Sequence, residues 1–167
     1  NGKWVTHNMD ELMRELRANQ GGFSLSPQGL QFIANNEGFP HHQPYNDPLG
    51  YATAGYGHLL HKSRYTAADV AKYGGMTKAQ GLVLLNQDVT SRVAAVNNLV
   101  TVSLNQYQFD ALVDFTFNVG IGAFGKSTLL RELNTGDFED VPTQLLRWTN
   151  GGNQGLIDRR NVEIGLS

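Results

Sequence analysis

Glu37, Asp47 and Thr53 fall within one run, EGFPHHQPYNDPLGYATAGYGH, spanning residues 37–58. The run offers two carboxyl groups ten positions apart and a hydroxyl six positions beyond the second. Two acids and a hydroxyl able to hold a water are the set that splitting a glycosidic bond uses: one acid protonates the leaving oxygen, while the other faces the oxocarbenium-like transition state or activates a water. Taken singly, each residue has a plainer reading. A Glu near a helix end is commonly a surface residue, an Asp in Tyr-Asn-Asp-Pro-Leu-Gly a turn residue, and a Thr beside Tyr51 a strand residue. Their combination is what points to chemistry.

The elements that must position them follow from local pattern. Ser26 and Pro27 signal a helix start, Leu30, Ile33, Ala34 and Glu37 share one helical face, and Gly38 marks the stop. Glu37 should then project from an apolar surface at a helix C-terminus. Desolvation and the negative end of the helix dipole would both raise its pKa there, as a general acid requires. Pro40, Pro44, Pro48, Gly50, Gly55 and Gly57 exclude a helix from the following segment and predict a loop with short strands, built on Tyr51, Thr53 and Tyr56. Gly55 and Gly57 would let backbone approach a ligand, and they also suit a plain hairpin turn.

Helices are expected elsewhere. Met9, Leu12, Met13 and Leu16 repeat behind Asn8 and predict a helix over about 9–18. Thr66 caps a short helix reaching Tyr73. Thr77 with Gln80 opens a long one carrying Leu82, Leu85, Val89, Val93, Val96 and Val100, the expected spine between two lobes. Asn105 with Gln108 opens a strongly apolar helix ending at Gly120; three more are expected over 127–133, about 140–148 and about 156–166.

At 167 residues with 40% apolar content, one globular domain is the expectation. Without cysteine there is neither a disulfide framework nor a thiolate metal site. The net charge of −2 gives no general attraction for nucleic acid, and no apolar run is long enough for membrane insertion. A start at Asn1 rather than Met reads as a piece of a longer protein. His41, His42, His58 and His61 with Asp47 lack an ordered ligand spacing, so no metal and no cofactor is expected. Gly55-Tyr-Gly-His lacks the lysine and following helix of a nucleotide site. Trp4 and Trp148 read as core or rim rather than as sugar platforms, and Tyr51 and Tyr56 as the better cleft aromatics.

The combination Glu37-Gly38, Tyr45-Asn46-Asp47, Gly50-Tyr51-Ala52-Thr53 and Gly55-Tyr56-Gly57-His58 resembles the phage-type lysozymes, muramidases that act on peptidoglycan. The resemblance continues through residues 104–112, Phe117-Asn118-Val119-Gly120 and residues 155–160. It implies an α+β, mainly helical fold: a lysozyme-like two-lobed domain over residues 25–167, with a small β-hairpin lobe and a larger helical lobe joined by a long helix, after an N-terminal helical extension over 1–24. It implies Glu37 as general acid, Asp47 as second carboxylate and Thr53 as the water-positioning hydroxyl. By the same resemblance Leu59, Phe117, Asn118 and Tyr56 contact substrate, His58 supports the site from behind, and Arg159 lies near the acid. Two departures stand out. The loop between Glu37 and Asp47 is one residue longer than in shorter members, and Ile157 stands two before Arg159, where small or basic residues are usual, with Asp158 adding an acidic charge beside it.

The implied activity is hydrolysis, with inversion, of the β-1,4 bond between N-acetylmuramic acid and N-acetylglucosamine. A monomer would act on bacterial peptidoglycan at the cell wall, in the periplasm, delivered by a holin or a secretion machinery. The pattern names no immunity or delivery protein, and it does not separate an endolysin from an effector or a tail-associated domain. Two alternatives are a catalytically weak wall-binding module, which has no need of an acid on an apolar face, and a lytic transglycosylase, whose chemistry does not require Asp47 and Thr53.

Overall fold

Ser26 does at the start of the first described helix what its position predicts. Its hydroxyl accepts the Gly29 amide at 3.0 Å, and Pro27 stands in the first turn, where no amide partner is needed. The computed structural model describes residues 3–4 and 22–165; the helix expected over 9–18 lies outside them. The order of elements is α1 (Pro27–Glu37), β1 (Tyr45–Asn46), β2 (Ala52–Ala54), β3 (His58–His61), α2 (Ala67–Tyr73), α3 (Lys78–Asp88), α4 (Thr90–Leu99), α5 (Gln106–Val119), α6 (Ile121–Lys126), α7 (Thr128–Asn134), α8 (Val141–Leu145) and α9 (Gln154–Ile164). The chain divides into a smaller unit, Leu30–Thr90, and a larger one that joins Asn1–Gly29 to Ser91–Ser167.

The smaller unit is built on an antiparallel sheet in the order β1-β2-β3. Tyr45 stands opposite Thr53, and Thr53 opposite Leu59, with an irregularity in the second pairing between Ala52 and Thr53. The Gly50 amide closes the first turn onto the Asp47 carbonyl at 2.8 Å, with Gly50 at φ 83°. Gly55 and Gly57, at φ 60° and 79°, carry the second. A side chain at Gly55 would also be blocked, since its Cβ would stand 2.9 Å from the Met76 sulfur.

Ile33, Ala34, Ala52, Ala54, Tyr56, Met76, Leu85 and Val89 form the core of this unit. Gly81 on α3 lets the Phe39 and Tyr56 rings reach the helix backbone; a Cβ there would lie 2.8 Å from one ring and 3.1 Å from the other. Thr66 and Thr77 make reciprocal capping boxes with Asp69 and Gln80.

The single long helix expected after Thr77 is instead two segments meeting at Val89, whose amide still reaches the Leu85 carbonyl at 3.0 Å. The Thr90 hydroxyl bonds back to the Asn86 carbonyl at 3.2 Å, a local competitor that loosens a helical ladder.

In the larger unit α5 is buried almost all round, from Gln108 to Thr116, as befits a helix at the centre of a core. Asn105 and Gln108 cap it reciprocally. Around it stand Phe124, Leu129, Leu133, Phe138, Val141, Leu145 and Ile164, each such side chain contributing roughly 1.5–3 kcal/mol by leaving water. Helix α6 was not expected, because Gly122 and Gly125 lower its helix propensity. Helix α8 stops at Leu145, short of the expected Trp148.

Trp4 is buried, and its indole N–H donates to the Glu163 carbonyl at 3.0 Å, while the Phe23 amide and carbonyl both bond the Asn97 side chain. These residues, placed by expectation in an N-terminal extension, therefore pack into the larger unit. Trp148 stacks edge-on against Phe115, so both tryptophans take the packing role. No helix among the described residues is long and apolar enough to cross a membrane.

Candidate active site

Three residues of expected catalytic type, with Leu59 and His58, belong to the smaller unit. Glu37 is the last residue of α1. Gly38 follows at φ 77°, and its amide closes the helix on Ala34 at 2.9 Å. Glu37 is exposed, which corrects the expectation that the apolar stripe would desolvate it. Ile33 and Ala34 are buried one turn earlier, and the face emerges from the core at the helix end. Its Oε1 lies 3.7 Å from where a Cβ on Gly57 would stand, so the carboxyl rests against the β2–β3 turn.

Asp47 and Thr53 hang from the peptide groups of one residue. The Tyr51 amide donates to Asp47 Oδ1 at 2.8 Å, the Leu49 amide joins it at 2.9 Å, and the Tyr51 carbonyl accepts the Thr53 hydroxyl at 2.8 Å. Two backbone amides on one oxygen hold Asp47 as an acceptor, and among the described residues no recorded hydrogen bond uses Oδ2. Because Thr53 spends its proton on a carbonyl, it meets anything else with its lone pairs. Thr53 is 3% exposed, so a water against it would be largely enclosed.

Tyr45, which the sequence reading used only as part of a motif, stands in the same place. Burial raises its phenol above the usual tyrosine range, and the charges of Glu37 and Asp47 raise it further. The cross-strand pairing with Thr53 is the structural signal, and a sequence holds no register from which to read it.

The supporting residues divide. His58 faces the Asp88 carboxylate through Nδ1 at 2.9 Å, a contact that orients the ring. Leu59 is exposed on β3. Tyr56 requires a correction: it is 7% exposed, T-stacked on Phe39 at 5.0 Å and pressed on Gly81, so its ring faces are engaged in the core. Of the histidines in the described residues, His42 meets the Met76 carbonyl and His61 the Asp69 carboxylate.

Phe117, Asn118 and Arg159 belong to the larger unit. The Arg92 guanidinium lies 5.1 Å from the Phe117 ring centre. Asn118 accepts a hydrogen bond from Arg160. Arg159 is buried and forks onto the buried Asp114 at 2.6 and 2.9 Å. Next to this pair, Arg160 meets Glu163 at 3.0 Å with both side chains fully buried. Burial pushes the Glu163 carboxyl well up, and Asp114 adds to the shift by sharing a hydrogen bond and by its charge. Sequence reasoning took only Arg159 from this cluster. Elsewhere, the carboxylates of Glu132, Asp137 and Asp140 lie within 4.8 Å of one another, and the interaction between Glu132 and Asp140 raises the first and lowers the second.

Residues 34–163 match the Phage lysozyme family. The chain is 35% identical to the endolysin of Bacillus phage B103 over 147 residues, covering 86% of this chain and 53% of that protein, so it spans about half the length of that relative. It is 37% identical to the SAR-endolysin of Escherichia phage Mu over 128 residues, covering 75% of this chain and 70% of that one. Among solved structures, the muramidase domain of SpmX from Asticaccaulis excentricus superposes with a TM-score of 0.73 at 37% identity, covering 86% of this chain and 96% of that one. An endolysin from Escherichia coli O157:H7 phage FAHEc1 does so at 0.73 and 31%, covering 86% and 92%.

Proposed function

As the chain belongs to the phage lysozyme family, we propose that it is a muramidase that hydrolyses the β-1,4 bond between N-acetylmuramic acid and N-acetylglucosamine in bacterial peptidoglycan. The observation that carries the mechanism is the pair of acceptors hung from Tyr51. Asp47 and Thr53 can each take one hydrogen of a single water, which turns its lone pair toward the sugar. Glu37 gives its proton to the glycosidic oxygen as the bond from C1 breaks. The water adds at C1 and passes a proton to Asp47. Bond formation on the face opposite the leaving group inverts the anomeric centre. Leu59, exposed on β3, contributes apolar wall to the sugar path.

The protein acts at the cell wall, in the periplasm, after passage by a holin or a secretion route, with residues 25–167 as the hydrolase domain. Clearing of a purified peptidoglycan suspension tests the activity; an inert, folded protein leaves the wall-binding reading. Mass spectrometry of the released muropeptides separates hydrolysis from transglycosylation by the absence or presence of anhydro ends. NMR of freshly released reducing ends should show the α-anomer first, and initial β-anomer would end the role given to Thr53.

A further inference from the structure

Tyr45 opens β1 directly across from Thr53, and residues so paired project from the same face of a sheet. Its hydroxyl donates to the Gly55 carbonyl at 3.3 Å, and its ring packs edge-on against His41, with centres 5.5 Å apart. Burial raises this phenol, and Glu37 and Asp47 both act on it through their charge. Glu37 itself rests against Gly57. One side chain therefore touches the turn that backs the first acid and lies in the field of both.

We propose that Tyr45 is a positioning residue for the acid pair: its hydroxyl holds the Gly55 carbonyl, fixes the turn on which Glu37 rests, and sets the spacing from Glu37 to Asp47. The proposal rests on the muramidase reading of this site. A phenol suits the task because its hydroxyl can donate to that carbonyl. It also stays neutral beside two carboxyl groups, where an ammonium or guanidinium would pair with them and a third carboxylate would repel them. Phenylalanine would fill the same space and leave the Gly55 carbonyl of the turn without this partner.

The test is Tyr45→Phe on solubilised peptidoglycan over a concentration series, with wild type alongside. A shift of about 1 Å at a catalytic group can cost about a hundredfold, so a partial loss of hold should lower kcat about tenfold with KM changed less than about twofold. In a Glu37→Asp background the same substitution should cost less than about twofold, because it acts through the carboxyl already displaced. Unchanged kcat, a rise in KM alone, or an equal loss in both backgrounds would overturn the proposal. Should the variant not fold, hydrogen exchange of the Gly57 amide in wild type decides: protection above that of exposed loop amides supports a held turn, and exchange at their rate overturns the proposal. An inert wild type overturns the muramidase reading and this proposal with it, whereas an active wild type beside an unaffected variant overturns this proposal alone.

Discussion

In the smaller unit, Asp47 sits half-buried on two backbone amides with one oxygen to spare, and Glu37 stands exposed at a helix end; in the larger unit, Asp114 and Glu163 are wholly buried among Arg159 and Arg160. The difference separates two uses of a carboxyl group. A backbone-anchored carboxylate at the surface keeps lone pairs for a ligand and costs little to change. A carboxylate sunk among guanidinium groups has its bonds committed, and its removal strands a charge.

The comparison can be broken in four ways. The largest effect should come from Asp114→Ala, which takes both bonds from Arg159 and should lower unfolding free energy in urea by about 3–5 kcal/mol. Asp47→Ala, losing two amide contacts near the surface, should cost about 1 kcal/mol. Equal costs would erase the distinction.

Next, Glu37→Gln should reduce wall lysis by about a hundredfold or more, the usual scale for a lost general acid, with the thermal midpoint unchanged. A variant keeping more than half the wild-type rate would remove Glu37 from the mechanism.

The third effect is of opposite sign in the two units. Glu163 is held above the ordinary glutamate value of 4.5, so between that pH and its folded value the native state binds more protons than the unfolded chain, and its contribution to stability falls as pH rises. Glu163→Gln should flatten that part of the profile in denaturation measured from pH 4 upward. Asp69, held below 3.8 first by its hydrogen bond to His61, contributes stability that is present above that value and lost as pH falls through its folded one. Acid should therefore loosen the start of α2 while it favours the buried cluster, and amide exchange resolved by residue would show whether the two regions diverge.

The smallest effect is Thr66→Ala, which removes the side-chain half of the α2 capping box and should cost about 1 kcal/mol, seen as faster exchange confined to α2.

What the sequence made legible was local. The caps at Thr66, Thr77 and Asn105 involve residues three apart and formed as the pattern predicts, with Asp69 completing a box at Thr66. The stripe ending at Glu37 correctly put four residues on one face, but it could not say that the face leaves the core in its last turn. The strand-forming character of Tyr56 did not reveal that its ring would be covered, because Phe39 and Gly81 reach it from 17 and 25 residues away. The break at Val89 coincides with a single hydroxyl bond from Thr90, a signal that the apolar period masks. The pairing of Asp114 with Arg159 spans 45 positions, and no spacing rule reaches that far.

The chain order of the two units also bears on how the molecule assembles. Leu30–Thr90 is continuous, and its strand pairings join residues close in sequence, whereas the larger unit must bring Phe23 to Asn97 and Ser26 to Asp110 across 74 and 84 residues. Closing an unstructured loop of that length costs roughly 4 kcal/mol in chain entropy before any contact repays it. Prior folding of the intervening segment shortens the effective loop, so the three-stranded sheet should be protected early in refolding, and the Phe23 amide only once that segment has drawn its ends together.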